Sequence, residues 1–275
     1  MAHVFFSPGV SLMESLSAAE RKEFEVFATG IADNARAFSL PRFRQPVDVT
    51  LKGDMSPVTA VDRGVESMLR ERIGNAWPEH GLLGEEYGAT RIDAEFVWSI
   101  DPIDGTRSFI SGWPLWGTLL ALLRHGKPML GILDMPALDE RWIGHVGVGT
   151  TMNGALCRTS GCTALEAATL YTTTPDMFTP GEWARFDRTS RAAYTRRFGG
   201  DCYGYGMLAS GHIDAVIEAN LMPYDYLAIA PVVQAAGGVI TDWEGRTLGL
   251  DSGARVVAAA TPALHAALIE SLAKD

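Results

Sequence analysis

The sequence predicts an α+β fold in two subdomains around one cleft. Three observations carry this. Capped segments with helical apolar spacing open the chain, strand-like runs dominate residues 96–146, and short strands alternate with helices beyond about Gly154. The expected division is 1–153, an α+β part carrying the principal acidic motif, and 154–275, an α/β part completing the cleft.

Ser17-Ala18-Ala19-Glu20 is a capping box, in which a hydroxyl and a carboxylate satisfy each other's backbone N–H groups. Behind it Phe24, Val26, Phe27, Ile31, Ala35 and Phe38 suit a helix ending near Leu40-Pro41. Lys52-Gly53-Asp54-Met55-Ser56-Pro57 reads as a loop by its turn residues. Thr59 caps a second helix, with Val61, Val65, Met68, Leu69 and Ile73 on one face and Pro78 past its end. Gly84-Glu85-Glu86-Tyr87-Gly88 is a turn or strand end, and Phe96-Val97-Trp98-Ser99-Ile100 is a strand. Residues 117–123, 129–133 and 141–146 then read as a three-stranded meander.

In the second half, residues 169–173 read as a short strand, and 182–193 as a polar helix rich in arginine. Residues 203–210 form a small-residue helix closed by Gly211, and 213–219 alternate as a strand. Residues 224–236 read as one helix, kinked because Pro231 removes a backbone hydrogen bond. Gly237-Gly238 ends it; a strand at 239–243 and a helix at 262–272 follow.

Composition narrows the function. The chain has 275 residues, 47% hydrophobic and 20% charged, with a formal charge of −10 and no basic run, which argues against a nucleic-acid partner. No apolar run approaches the roughly 18 residues of a membrane span, and the N-terminus lacks the basic and apolar regions of a signal peptide. Cys157, Cys162 and Cys202 are odd in number and lack metal-site spacing. Packing roles for Cys157 and Cys162 in a reducing, cytoplasmic compartment are expected. The histidines lack metal-ligand spacing, so none is assigned to a metal.

The most informative run is Trp98-Ser99-Ile100-Asp101-Pro102-Ile103-Asp104-Gly105-Thr106-Arg107-Ser108-Phe109. It sets two carboxylates three residues apart at a strand's end, where α/β sheets bind ligands. At about 4 Å and an effective dielectric near 20, bare carboxylates repel by roughly 4 kcal/mol. A shared proton or a cation relieves this, and hard oxygen ligands beside a phosphate suit Mg2+. Gly105 permits close backbone approach, and a helix opening at Thr106 would aim N–H groups at an anion. Asp-Pro and Asp-Gly are also ordinary turn dipeptides. Glu85-Glu86, Asp201 and Asp225 are further acidic groups near predicted element ends.

DPIDGTRSF resembles the first signature of the inositol monophosphatase family, and Met222-Pro223-Tyr224-Asp225 through Ala236-Gly237-Gly238 resembles the second. Gly84-Glu85-Glu86 matches in order and spacing, as does Lys52 through Thr59 to Asp62. The resemblance implies a layered αβαβα sandwich of the inositol monophosphatase and fructose-1,6-bisphosphatase type. Ser108 stands where most inositol phosphatases have Asn, and Tyr224 where they have Trp. The segments SFISGWPLWGTLLALL, GGDCYGYGMLASGHIDAVIEA and PYDYLAIAPVVQAAGGVITDW look like the histidinol-phosphate phosphatases of the family.

That resemblance implies Mg2+-dependent hydrolysis of L-histidinol phosphate to L-histidinol and phosphate, in histidine biosynthesis. It implies a lithium-sensitive, cytoplasmic homodimer with two or three Mg2+ per site. Glu85, Asp101 and the Ile103 carbonyl would hold the first ion, and Asp101, Asp104 and Asp225 the second. Glu85 and the Thr106 hydroxyl would orient a water, with Asp104 in the same catalytic set. Asp101 and the N–H groups of Gly105 and Thr106 would meet the phosphoryl oxygens. Arg107, Asp201, Glu218 and Asp225 are expected at the substrate, with Asp201 and Glu218 beside the amine or imidazole of histidinol. Lys52 and Asp62 are loop-side candidates.

The runner-up substrates are inositol phosphate and related sugar phosphates. A catalytically inactive phosphate-binding relative is the non-enzymatic alternative; intact Glu85, Asp101, Asp104, Thr106 and Asp225 argue against it. Trp113 and Trp116 could wall the pocket or stabilise a dimer, with core packing expected for at least one. Arg185, Arg188, Arg191, Arg196 and Arg197 are expected on a solvated helix face, with a phosphate-guiding or subunit-contact role as the alternative.

Overall fold

Ser17 caps the first helix as its sequence dictates. Its Oγ accepts from the Glu20 N–H at 3.2 Å, and Glu20 Oε2 accepts from the Ser17 N–H at 2.8 Å. The structure, a computed structural model, describes residues 16–46, 48–51 and 57–274. Lys52 and most of its expected loop lie outside the described residues.

The elements run α1 (Ala18–Ser39), β1 (Val49–Leu51), β2 (Pro57–Thr59), α2 (Ala60–Ala76), β3 (Gly81–Gly84), β4 (Gly88–Thr90), β5 (Phe96–Asp104) and α3 (Thr106–Ser111). There follow β6 (Gly117–Arg124), β7 (Lys127–Met135), β8 (Glu140–His145), β9 (Gly149–Met152) and β10 (Ala155–Cys157). The remainder is β11 (Thr169–Thr172), α4 (Pro180–Arg191), β12 (Thr195–Phe198), α5 (Tyr203–Ala209), β13 (Ala215–Glu218), α6 (Pro223–Tyr226), α7 (Ile229–Ala235), β14 (Val239–Thr241), β15 (Val256–Ala259) and α8 (Pro262–Ala273).

Among the described residues β3 to β10 form an eight-stranded sheet, ordered 10-9-8-7-6-5-3-4. A five-stranded sheet is ordered 12-11-13-15-14, and β1 pairs with β2 alone. Alternation along β6 shows why helices cover both faces of the large sheet. Leu120 and Leu122 point into a core with Phe24, Ile31, Val65 and Leu69 of α1 and α2. Leu119, Ala121 and Leu123 point into a second core with Tyr205, Leu208 and Val232 of α5 and α7. That core also takes Val216, Val256 and Ala258 of the smaller sheet. Leu170, Ile217 and Val257 face outward, toward Phe186 of α4 and Leu264 and Leu268 of α8. The layers therefore read αβαβα, the sandwich implied by the resemblance. The change of sheet falls between Cys157 and Thr169.

Two expectations are corrected. The helix expected over 224–236 is two helices, α6 and α7, separated by a turn at Leu227-Ala228. Pro231 has no N–H for the Leu227 carbonyl, and its ring crowds that group, so the helix breaks rather than bends. The arginine cluster is not one solvated helix face. Arg196 and Arg197 lie on β12, in parallel register with Leu170 and Tyr171. Arg185 and Arg188 of α4 donate to the carbonyls of Leu272 and Ser271, where cations complement the C-terminus of α8. The three cysteines are free thiols. No helix of the described residues is long and apolar enough to cross a membrane.

Candidate active site

Strand β5 carries the acidic motif into the cleft through an irregularity. Asp101 pairs with Leu119, but Asp104 pairs with Gly117, so the register shifts between them. The Ile103 N–H donates to Asp101 Oδ1 at 3.1 Å, and Thr118 Oγ1 donates to the Pro102 carbonyl at 2.9 Å. These bonds hold the kink and turn both carboxylates inward. Gly105 then takes φ +78°. A Cβ there would sit 3.0 Å from Asp201 Oδ2 and from the Leu115 carbonyl, so conformation and space both demand glycine.

The remaining acids arrive from other elements. Glu85 follows β3, where its N–H donates to the Ile100 carbonyl at 3.2 Å and seats it beside Asp101. Buried Glu66 fixes that turn, accepting from the N–H groups of Glu86 at 2.7 Å and Tyr87 at 3.2 Å. Gly84 leaves room for it; a Cβ would lie 1.9 Å from Glu66 Oε1. Asp225 opens α6 and accepts the Met222 N–H at 2.7 Å. Asp104 accepts the Cys202 N–H at 2.7 Å. Asp101, Asp104 and Asp225 each offer an oxygen, all within 4.8 Å of one another.

Charge shows that these carboxylates cannot all stay ionised without a proton or a cation among them. Burial pushes the Asp101 carboxyl well above its ordinary range, and Glu85, Asp104 and Asp225 push it further. Burial and then Asp104 raise Asp225 strongly. Burial, reinforced by Asp201, raises Asp104 to about 7. The charged neighbours raising Asp101 and Asp225 are all carboxylates. Closely spaced, buried to half-buried, oxygen-only donors of one sign fit a hard divalent cation.

Thr106 and Asp62 complete the cluster's edge. Thr106 Oγ1 lies 3.0 Å from the Ile103 carbonyl and 3.2 Å from Asp62 Oδ1. Asp62 is buried in the capping box of α2, where its other oxygen accepts the Thr59 N–H at 2.8 Å.

Two cavities meet at Asp201 and Thr173. The inner one, about 120 Å3, is lined by Asp104, Asp201, Glu218 and Asp225. The outer one, about 640 Å3, is walled by Arg107, Ser108, Trp113, Tyr171, Arg197 and Asp201. Asp201 has φ +45° and accepts Ser108 Oγ at 2.8 Å. Burial raises its carboxyl, and the Ser108 bond and Arg107 oppose that rise. Glu218 is fully enclosed and already bonded. One oxygen accepts Thr173 N and Oγ1 at 3.1 and 2.5 Å, and the other accepts Tyr205 Oη at 2.8 Å. Trp113 is exposed at the outer rim, whereas Trp116 is core.

The structure thus brings Asp101, Asp104 and Asp225 together, with Glu85 beside Asp101, Gly105 and Thr106 following in the chain, Thr106 bonded to Ile103, and Arg107, Asp201 and Glu218 lining the adjoining cavities. Glu66 and Ser108 are the supporting residues that sequence reasoning did not place; Gly84 and the serine at position 108 were their signals.

The comparisons agree with this geometry. The model of the inositol monophosphatase family matches residues 20–275. A chloroplastic bifunctional phosphatase of Arabidopsis thaliana is 41% identical, over 94% of this chain and 77% of its own length. The histidinol-phosphatase of Chlorobaculum parvum is 36% identical, over 82% and 87%. The solved inositol monophosphatase of Zymomonas mobilis superposes with a TM-score of 0.85 at 40% identity, covering 94% of this chain and 99% of that one. With its acid cluster, its αβαβα layers and its phosphatase relatives, the chain is a phosphoric monoester hydrolase and belongs to the inositol monophosphatase family.

Proposed function

We propose that the protein hydrolyses L-histidinol phosphate and that Mg2+ is its cofactor. The observation that carries this is the Asp201 carboxylate, which lines both cavities and neighbours Asp104. An alcohol leaving group seated there meets negative charge, which suits the amine or imidazolium of histidinol and which a neutral polyol does not need. The histidinol-phosphatase relatives support the same reading.

In this reading Glu85, Asp101 and the Ile103 carbonyl hold one Mg2+, and Asp101, Asp104 and Asp225 a second. Bound there, Mg2+ supplies positive charge for the phosphate and acidifies water. The protein's own groups do the positioning. Thr106 Oγ1 directs its single proton to Asp62 or the Ile103 carbonyl, leaving a lone pair to accept a hydrogen bond from the attacking water. The N–H groups of Gly105 and Thr106 hold the phosphoryl oxygens. Phosphoryl transfer asks for little more than such positioning and charge neutralisation. Arg107 and Asp201 orient the alcohol. Glu218 backs them, and its bonds to Thr173 and Tyr205 fix the cavity wall.

Arg107 and Arg197 on the outer wall favour a second reading, an alcohol with polar or anionic substituents such as a sugar phosphate. The reading retains a cytoplasmic, lithium-sensitive homodimer, with halves 1–153 and 154–275 closing on the cleft. Its test is turnover of histidinol phosphate after chelation. Activity is expected to vanish and to return with Mg2+; full activity in excess chelator would refute it.

A further inference from the structure

A separate cavity of about 370 Å3 lies at the end of β6 remote from the acid cluster. Asp104 pairs with Gly117 at one end of that strand, and Arg124 terminates the other. Seven residues at about 3.3 Å each put roughly 23 Å between them. The cavity's volume falls within the range of small-molecule sites, about 300–1,000 Å3.

The floor is apolar, made by Met129, Ala230 and Leu248. The rim is basic, made by Arg21, Arg124, His125 and Lys127, on a chain whose net charge is −10. A tight hairpin fixes three of these side chains. His125 and Gly126 take φ +49° and +74°, the left-handed pair of a two-residue turn, and Arg124 and Lys127 are register partners across it. Arg124 is paired with Glu95 at 2.7 Å. Among the described residues neither Arg21 nor Lys127 has a carboxylate partner; Arg21 donates to the Leu16 carbonyl. At the mouth, Val146 leaves 49% of its surface in water. Helix α7 gives Ala230 and Gln234 to this wall and Ile229 to the inner cavity of the acid site. An occupant would therefore lie against the helix that backs Asp225.

Unpaired cations above an apolar floor complement a ligand with an anionic head and an apolar body. The head would meet Lys127 and Arg21, and the body would cover Met129, Val146 and Leu248. We propose that this cavity binds a small, free amphipathic anion, an alkyl or aryl carboxylate or phosphate, at a site separate from the phosphatase centre.

Calorimetric titration of the full chain with octanoate tests this, with octylammonium as the opposite-charge arm and phosphatidylglycerol vesicles as the membrane arm. One octanoate per chain is expected, at least about 10-fold tighter than octylammonium, as hydrogen bonds to charged groups imply. Lys127→Glu and Val146→Asp are each expected to weaken octanoate about 10-fold or more, with melting temperature and phosphatase activity unchanged. No saturable binding, equal binding of octylammonium, or affinity unchanged in both variants would overturn the proposal. So would binding to vesicles without binding of free octanoate.

Discussion

The Thr106 hydroxyl stands 3.2 Å from Oδ1 of Asp62, a residue 44 positions earlier in the chain. Each opens a helix, Thr106 at the first position of α3 and Asp62 in the capping box of α2. Two helix starts thus converge on the acid cluster and give the hydroxyl a carboxylate to which it can pass a proton.

Thr106→Val keeps the side chain's shape and removes that relay. Its kcat should fall by at least about 10²-fold, the usual worth of a positioned acid–base group, while Mg2+ affinity stays. Asp62→Asn should match it in rate and leave the melting temperature nearly unchanged, since Asn can still accept the capping bond. Rate measurements at saturating Mg2+ decide this; a normal kcat in both variants would remove the pair from catalysis.

The buried carboxylates also fix a pH dependence. Burial raises Asp104 to about 7 in the folded chain, and Asp101 and Asp225 move in the same direction. The folded state therefore holds these protons more tightly than the unfolded one. Their contribution to stability is complete below the unfolded carboxylate range, near pH 4, and is lost as pH rises through about 7. Bound cations remove that loss. Melting curves at pH 5, 6.5 and 8 should show the Mg2+-induced rise in Tm growing with pH. A rise that is constant or shrinks would contradict the assignment.

Gly131 tests how Asp225 is held. A Cβ there would lie 1.9 Å from the Ala228 carbonyl, three residues beyond Asp225. Gly131→Ala should destabilise by about 1–3 kcal/mol, the usual cost of overpacking, and weaken Mg2+ binding as α6 shifts. Gly30→Ala, in α1 with no atom within 4 Å of the new methyl, should instead stabilise by roughly 0.5–1 kcal/mol. Thermal melts and Mg2+ titrations of both variants check the contrast.

Asp201→Asn addresses specificity. It removes the charge and keeps the acceptor for Ser108 Oγ. It should lower kcat/KM for histidinol phosphate by about 10- to 10²-fold, as hydrogen bonds between charged groups imply, and barely affect an aryl phosphate. Glu218→Gln should lower both alike, because its oxygens already serve Thr173 and Tyr205. Equal losses in Asp201→Asn would make Asp201 a scaffold residue.

Local signals were legible wherever a side chain or proline acts on its own backbone. The boxes at Ser17 and Thr59, and the Asp101–Asp104 pair, all announce themselves within a few residues. Relations set by distant partners were not legible. Val256–Ala259 becomes a strand by pairing with β13 and β14, although its Val-Val-Ala-Ala carries no alternation. Glu66, a charged residue with no local signal, is buried in α2 because the Gly84–Tyr87 turn closes on it. The convergence of Asp225 on Asp101 came from the family motifs rather than from spacing, since a separation of 124 positions says nothing about distance. Pro231 announced an interruption of this segment, but local sequence could not distinguish a kink from the full break seen at Leu227-Ala228.

The most direct measurement is the ratio of kcat/KM for L-histidinol phosphate to that for inositol 1-phosphate, taken with the wild-type chain at saturating Mg2+. The acidic alcohol pocket predicts a ratio of at least about 10, the contribution of one charged hydrogen bond, and its fall toward unity in Asp201→Asn. A ratio at or below unity in the wild-type chain would contradict the account.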